Sequence, residues 1–499
     1  MADLILTAAD GAAWELVSGL EVHAELATVT KMFSGAPNRF GSEPNTNIDA
    51  VSLGLPGSLP VLNERAVELA MRLGLAVHCT VKPSVFARKN YFYPDMPKDF
   101  QISQYDQPIN VDGWLELPSG KRIGVERAHL EEDTGKSTHV GGAGRITGSD
   151  HSLVDYNRAG VPLLEIVSRP DIASPDEARA YAAELRAILV ATEVSDGKME
   201  EGSMRVDANV SVRRVGDPAL GTRCEIKNLN SLRSLGRAIE YEARRQVDLL
   251  CAGERIRQET RHWDEADGRT HLLRSKEEAE DYRYFPEPDL VPLDPSPEWI
   301  EQVRAGLPVL PADRRRALAT KAGVALPHDT VTVLVERGQD RLAAAAIEAG
   351  ADAGRVLVHV EQNLAADTSA GLEPARLAAL VDLETSGQLT ATQAKQVLAA
   401  MVADPHLTPA HAAAARGFQA MGGAAVAELV DAAIAANAET WQTFLAGDDK
   451  TRRKLTGFFV GHVMKASSGQ ADGKAVTRLL LERAHSSHQH DSDQHDSRS

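Results

Sequence analysis

Cysteine is nearly missing from this chain: three in 499 residues, at Cys79, Cys224 and Cys251, with no CxxC pair. That excludes a disulfide framework and a cysteine-built metal site, and it suits a reducing compartment. Long apolar runs are missing too. No stretch approaches the roughly 20 apolar residues needed to span a bilayer, and the first ten residues lack the basic segment and apolar core of a signal peptide. A cytoplasmic protein with no membrane association is expected. Positive charge is in deficit, with 54 Lys and Arg against 71 Asp and Glu and a formal net charge of −17. A chain that held nucleic acid mainly by neutralising phosphates would be basic, so the balance argues against a dedicated nucleic-acid binder. A local basic patch on one domain stays compatible with contact to RNA.

The familiar phosphate-binding and nucleophile motifs are also lacking. Thr134-Gly135-Lys136-Ser137 looks like the end of a P-loop, but Leu130 stands where GxxxxGK[ST] requires glycine. There is no GxGxxG turn, no GxSxG elbow and no Gly/Ser-rich nucleophile loop of a Ser-Lys amidase. Phosphate chemistry here would need another kind of site, and any ammonia would have to be made elsewhere.

What is present describes a globular chain, 43% hydrophobic and 25% charged, long enough for two or three domains. Residues 1–296 are rich in turn residues and short alternating runs, and are expected to form a mixed α+β domain. In 204–213, Val206, Ala208, Val210 and Val212 alternate with polar residues, and 222–227 follows the turn at Gly216-Asp217-Pro218. This predicts an antiparallel hairpin with one dry and one polar face. Helices are expected over 63–75, 174–192 and 231–252; Ser174 supplies an N-cap and Pro175 the first helical position. From Pro297 the chain turns Ala- and Leu-rich with helical spacing. This predicts a helical linker domain over 297–408, a helical tail domain over 409–483, and a disordered Ser/His/Asp-rich end over 484–499.

Period-two alternation over 16–26 puts Glu21, His23 and Glu25 on one strand face. They are half of a metal site or ordinary polar residues facing solvent; the motif alone does not separate the two. Glu165, inside the apolar run Leu163-Leu164-Glu165-Ile166-Val167, is sharper, because a carboxylate there is costly unless paired or bound to a cation. The alternative is a salt bridge to a core arginine. His129-Leu130-Glu131-Glu132-Asp133 adds three consecutive acids. Should Glu21, His23, Glu132, Glu165, Asp207 and Glu225 converge, the oxygen-rich set with one nitrogen favours Mg²⁺ or Mn²⁺ over Zn²⁺ and suits phosphoryl transfer. Arg88, Lys89 and Tyr91, followed by further aromatics, make a candidate nucleotide or RNA-end surface. Lys227, Asn228 and Asn230 sit next to the proposed metal face. Turn-rich structural packing is the competing explanation for both clusters.

Several motifs occur together in one order: Gly19-Leu20-Glu21-Val22-His23, 88–95, 163–167, Lys198-Met199-Glu200-Glu201-Gly202-Ser203, Lys227-Asn228-Leu229-Asn230, 281–289 and, near the end, 454–461 with Val463-Met464-Lys465. As a set they resemble the B subunits of the aspartyl/glutamyl-tRNA amidotransferases over nearly the whole chain. The resemblance implies a glutamine-synthetase-like cradle followed by helical linker and tail domains. It implies ATP- and Mg²⁺-dependent phosphorylation of the side-chain carboxylate of Glu-tRNA(Gln) or Asp-tRNA(Asn). A partner amidase, the family's A subunit, supplies ammonia within a heterotrimer that includes a small C subunit. Position by position, His23, Glu132 and Glu165 match the family's metal ligands. Glu21, Asp207, Glu225 and Lys227 fall to catalysis, a second cation or the channel mouth. Arg88, Lys89, Tyr91, Asn228 and Asn230 are candidates for nucleotide or substrate contacts, and Arg452, Arg453, Lys454 and Lys465 for tRNA backbone contacts.

One departure is visible. Where many members carry two cysteine pairs spaced for zinc, this chain reads Ser34-Gly35-Ala36 and Asp49-Ala50-Val51-Ser52, so no structural zinc is expected. A non-catalytic tRNA-binding scaffold and a free-standing glutamine-synthetase-like ligase are the alternatives, separable by whether ATP turnover depends on Glu165 and on tRNA.

Overall fold

The computed structural model describes residues 3–7, 11–141, 148–275, 282–365, 371–418, 423–467, 471, 473 and 475–484. The tail 485–499, expected to be disordered, and Asp281 of the 281–289 motif lie outside the described residues. The chain divides into two compact units, Met1–Asp313 and Arg314–Ser499.

The first unit runs Ile5–Thr7 (β1), Ala13–Glu25 (β2), Glu64–Ala76 (α1), Thr80–Val81 (β3), Ala87–Asn90 (β4), Phe100–Ser103 (β5), Asn110–Glu116 (β6), Arg122–Glu132 (β7), Lys136–Val140 (β8), His151–Asp155 (β9) and Pro162–Ser168 (β10). It continues through Pro175–Ala191 (α2), Met204–Arg214 (β11), Cys224–Lys227 (β12), Leu232–Cys251 (α3), Glu259–Asp264 (β13), Arg269–Ser275 (β14), Phe285–Pro286 (β15) and Pro297–Ala305 (α4). Among the described residues, thirteen strands form one sheet whose main path is β14-β13-β12-β11-β2-β10-β7-β5-β4-β15. The long alternating strand β2 lies at its centre, antiparallel to both β11 and β10.

Alternation decides the two faces. Along β2, Leu20, Val22 and Ala24 are buried in the main core with Val206, Ala208 and Val210 of β11 and Leu164 and Ile166 of β10. Each fully buried aliphatic side chain there contributes about 1.5–3 kcal/mol. α1, α2 and α3 supply the other half of this core through residues such as Leu69, Leu185 and Ile239. Ser174 caps its helix as predicted, and Asn63 and Ser231 do the same for theirs, each accepting backbone N–H bonds at the helix N-terminus. With the helices covering one face, the odd-numbered residues Glu21, His23 and Glu25 are left on the other.

The expected boundary at 296/297 follows a change in composition rather than the packing. α4 lies against α1 and puts Val303 into the first core, so this unit extends to Asp313. The loop after β2, where zinc ligands are missing, is held by packing and hydrogen bonds. Lys31 is buried, with Nζ donating to the carbonyls of Ala159 (2.6 Å) and Tyr156 (3.3 Å). Asn157 Oδ1 accepts from the Thr46 and Asn47 N–H groups, and Asp49 Oδ1 accepts from Ser52 N and Oγ.

The described helices of the second unit are Pro311–Ala322 (α5, which begins in the first), Asp329–Glu336 (α6), Asp340–Glu348 (α7), Ala353–Asn363 (α8), Pro374–Thr385 (α9), Ala391–Ala403 (α10), Pro409–Ala415 (α11), Gly423–Ala436 (α12), Ala438–Ala446 (α13) and Asp449–Ala466 (α14). They build two cores. One runs from Leu318 to Ala413 and the other, around Trp441, Phe444 and Phe459, from Val426 to Leu480. α11 packs on α10 and α9, so it belongs with the helices before it rather than with the tail domain that was expected to begin at 409. No helix among the described residues is long and apolar enough to cross a membrane.

Candidate active site

The polar face of the sheet centre gathers most of the residues singled out from sequence. Register explains how. Glu165 on β10 lies opposite His23 on β2 and His129 on β7, Asp207 on β11 lies opposite Glu21, and Asn209 opposite Glu225 on β12. Side chains on paired residues of one sheet face stand close together. His23 Nε2 therefore lies 3.6 Å from Glu165, 3.6 Å from Glu131 and 3.7 Å from Glu21. Ligand-type atoms of Glu21, His23 and Glu165 fall within 4.8 Å of one another; so do those of His129, Glu131 and Glu165, and of Glu21, Asp207 and Glu225.

Glu132, expected among the ligands, is on the other side of its strand. It forms a buried ion pair with Lys98 Nζ (2.5 Å) and accepts from the Ile102 N–H (3.1 Å). Its neighbour Glu131 faces His23 in its place. Consecutive acids on one strand, here Glu131 and Glu132, cannot both point the same way, and only the register against β10 says which of them faces the cluster.

The electrostatics of this cluster are those of crowded carboxylates. Burial and then the Glu165 charge push Glu131 up to about 7. Burial and Glu165 likewise raise Glu21. Burial also pushes Glu165 up, but His129, His23 and Arg127 outweigh it and hold this carboxyl below its ordinary range. Burial opposes the charged form of His23, yet the surrounding carboxylates of Glu165, Glu131 and Glu21 raise it to about 9. His129 is fully buried, which lowers it to about 4, and neither ring nitrogen has a hydrogen-bond partner. An orphaned imidazole beside surplus carboxylates costs free energy that a bound cation relieves. The donors are carboxylate oxygens with one or two imidazoles and no thiolate. They fit a hard divalent ion such as Mg²⁺ or Mn²⁺.

Lys227 sits beside the third group, with Nζ 2.8 Å from Asp207 and 3.0 Å from Glu225. Burial opposes its charge, but the two carboxylates raise its pKa further. A groove in two lobes lies over the whole face. One lobe, about 730 Å³, is lined by Tyr105, Tyr282 and Tyr284 with Arg127 and Arg223. The other, about 610 Å³, is lined by Tyr91, Asn228, Asn230, Arg158 and Arg205. Glu21, Glu131, Glu165, Lys89, Lys227 and Tyr282 border both.

Lys89, Tyr91, Asn228 and Asn230 thus stand at the groove; Lys89 lies over the Tyr282 ring at 4.8 Å. Arg88, the preceding residue of β4, does not line it. Its guanidinium forms a bidentate pair with buried Glu287 (2.6 and 2.8 Å), fastening the segment that carries Tyr282 and Tyr284 to β4. The sequence places His129 and Glu131 in the acidic run 129–133 and Tyr105 beside the candidate nucleotide surface, without assigning them a role at the site. Arg127, Arg205, Tyr282 and Tyr284 have no site reading there, and no short-range pattern marks them as facing the groove.

In the tail, Arg452 donates to the carbonyls of Phe444 (3.3 Å) and Leu445 (2.8 Å) and so closes the end of α13. Arg453, Lys454 and Lys465 lie on α14 with Lys454 and Lys465 exposed and Arg453 likewise on the solvent side.

A large sheet whose central face combines clustered carboxylates, imidazoles and lysines in an open groove defines a catalytic domain built without a P-loop. Known proteins agree with that class. A family model described as the GatB/GatE catalytic domain matches residues 16–301, and one described as the GatB domain matches 354–483. The aspartyl/glutamyl-tRNA(Asn/Gln) amidotransferase B subunit of Frankia casuarinae is 51% identical, covering 95% of this chain and 96% of that relative. The proteins of the same name from Nocardia farcinica and Thermosynechococcus vestitus are 49% and 45% identical, each covering 94% of this chain and 96% of the relative. The chain belongs to the family of aspartyl/glutamyl-tRNA(Asn/Gln) amidotransferase B subunits.

Proposed function

We propose that this chain is the ATP-using member of a glutamine-dependent tRNA amidotransferase. It phosphorylates the side-chain carboxylate of Glu-tRNA(Gln) or Asp-tRNA(Asn). A carboxylate oxygen attacks the γ-phosphorus of ATP, the bond to the β-phosphate oxygen breaks and ADP leaves. Ammonia then attacks the acyl carbon and displaces phosphate, leaving the amide on the tRNA. The ammonia comes from the partner amidase (the A subunit), in a heterotrimer completed by the small C subunit, and the reaction takes place in the cytoplasm. The sheet and its helices are read as the glutamine-synthetase-like cradle, and α12–α14 as the tail that meets the tRNA body through Arg453, Lys454 and Lys465.

The observation that carries this reading is the convergence of Glu21, His23, Glu131 and Glu165 with Lys89 and Lys227 in one groove. His23, Glu21 and Glu165, with Glu131 beside them, would hold Mg²⁺, which when bound neutralises phosphate oxygens. Lys89 and Lys227 place ammonium charge where the transferred phosphoryl group sits between the lobes, a positioning role that raises the rate without bond-making by the protein. Tyr91, Asn228 and Asn230 provide the polar and aromatic wall beside it. Co-purification of the heterotrimer and measurement of tRNA-dependent ATP consumption tests the reading. Glu165→Gln should abolish that consumption; full consumption in this variant, or ATP turnover indifferent to tRNA, overturns it.

A further inference from the structure

The smaller lobe carries two arginines, Arg158 and Arg205, held by one carboxylate. Arg205 lies on β11 directly across from His23, and its Nη2 donates to Asp133 at 2.8 Å. Arg158 comes from the loop before β10. Its Nε is 3.5 Å from the same Asp133 carboxylate, and it donates to the carbonyls of Thr134 (2.9 Å) and Gly135 (3.0 Å). Asp133 itself is buried. One buried carboxylate therefore holds two guanidinium groups that line the same lobe. These contacts use part of each fork and leave further N–H donors on both guanidinium groups. Two planar forks with spare donors, fixed by a shared anchor, are suited to a phosphate group.

The lobes differ in what they offer. The larger one carries Tyr105 and Tyr284, stacked with ring centroids 5.4 Å apart, and Tyr282, an aromatic wall of the kind that takes a nucleobase. The smaller one has the arginine pair and a floor of Met199, Met204, Leu163 and Leu229. Between them stand the carboxylates and the two lysines that border both. A reaction that moves a phosphoryl group from a nucleoside triphosphate to an acylated RNA end needs two binding regions that meet at that group, and this groove has two lobes with a shared border.

Resting on the function proposed for the groove, we infer that Arg158 and Arg205, anchored by Asp133, bind a phosphodiester of the tRNA acceptor end, and that the tyrosine-walled lobe takes ATP. The arginines are positioning residues: they set the aminoacyl ester over the carboxylate cluster and leave phosphoryl transfer to the groups at the centre. In a chain of net charge −17 they also supply local attraction for a polyanion that the surrounding carboxylates repel.

The test uses the intact heterotrimer and separates the two substrates. Arg205→Lys keeps a charge for Asp133 but loses the fork; Arg158→Ala removes the second guanidinium. Each should raise KM for the aminoacyl-tRNA about ten-fold, leave KM for ATP within about two-fold, and lower the salt dependence of tRNA binding by about one phosphate contact. Tyr284→Ala should do the reverse, raising KM for ATP alone. A rise in KM for ATP in the arginine variants assigns the pair to the nucleotide and overturns the inference. Unchanged constants for both substrates, with normal thermal stability, leave the pair structural and overturn it equally. Should Arg158→Ala fail to fold, Arg158→Lys gives the same reading. A wild-type heterotrimer without tRNA-dependent ATP consumption refutes the function itself, which is a separate result from a misassigned lobe.

Discussion

The sheet centre and the outer side of α14 both carry concentrated charge, and they carry it in opposite ways. At the sheet, Glu131, Glu165 and His129 are buried, and each is set by a backbone register that leaves it little freedom. On α14, Arg453, Lys454 and Lys465 stand toward solvent on a helix whose other side packs Phe459 and Val463 into a small core. Buried charge in a low dielectric acts strongly over short range and shifts its own ionisation. Exposed charge acts weakly and at long range, and salt screens it. The first suits chemistry on a phosphoryl group, the second the capture of a long polyanion.

That contrast is broken or sharpened by graded substitutions. The largest effect is expected at the centre: Glu165→Gln should lower tRNA-dependent ATP turnover on the order of a thousand-fold, because it removes a metal-facing charge made for the transition state. Glu132→Gln, one residue past Glu131, should instead destabilise the fold by about 3 kcal/mol, since it leaves the largely covered Lys98 ammonium without its counter-charge. Calorimetry should register that loss. Glu131 has a signature of its own in a pH profile. Its carboxyl, raised from 4.5 to about 7, favours the folded state at low pH, and the metal-free protein should lose that contribution as pH climbs from about 4.5 to 7. Glu131→Gln should flatten that part of the curve. In the tail the effects shrink. Arg452→Ala should cost about 1 kcal/mol by uncapping α13, whereas Lys454→Ala should leave stability unchanged and weaken tRNA binding only a few-fold, with a shallower salt slope. Equal responses from Arg452 and Lys454 would erase the distinction between a structural and a recruiting cation.

Local signals in the sequence were enough for the parts of the fold that depend on neighbours along the chain. Alternation placed the faces of β2 and β11, and Asn63, Ser174 and Ser231 marked the helix starts. Glu165 was legible as a site candidate because it interrupts an apolar strand, and Glu21, His23 and Asp207 because alternation gathers them on the polar faces of β2 and β11. What stayed hidden depends on distant partners. Arg88 sits beside aromatics like a ligand-binding cation, but its partner Glu287 is 199 residues away, and no short-range pattern announces a strut. The choice between Glu131 and Glu132 needs the pairing of β7 with β10. The domain boundary followed composition, while α4 followed its packing on α1.

The central pairing of β2 with β11 has a consequence for the protein's synthesis. Ser18 Oγ donates to the Asn209 carbonyl across 191 residues, and Arg88 waits for Glu287. On the ribosome, the strand that will line the active site must stay unpaired on that edge until β11 has been made, and the groove gains Tyr282 and Tyr284 only later still. The helical cores, whose contacts are mostly local, need no such delay. The strand carrying Glu21 and His23 thus waits on both sides for partners made long after it, β10 and then β11.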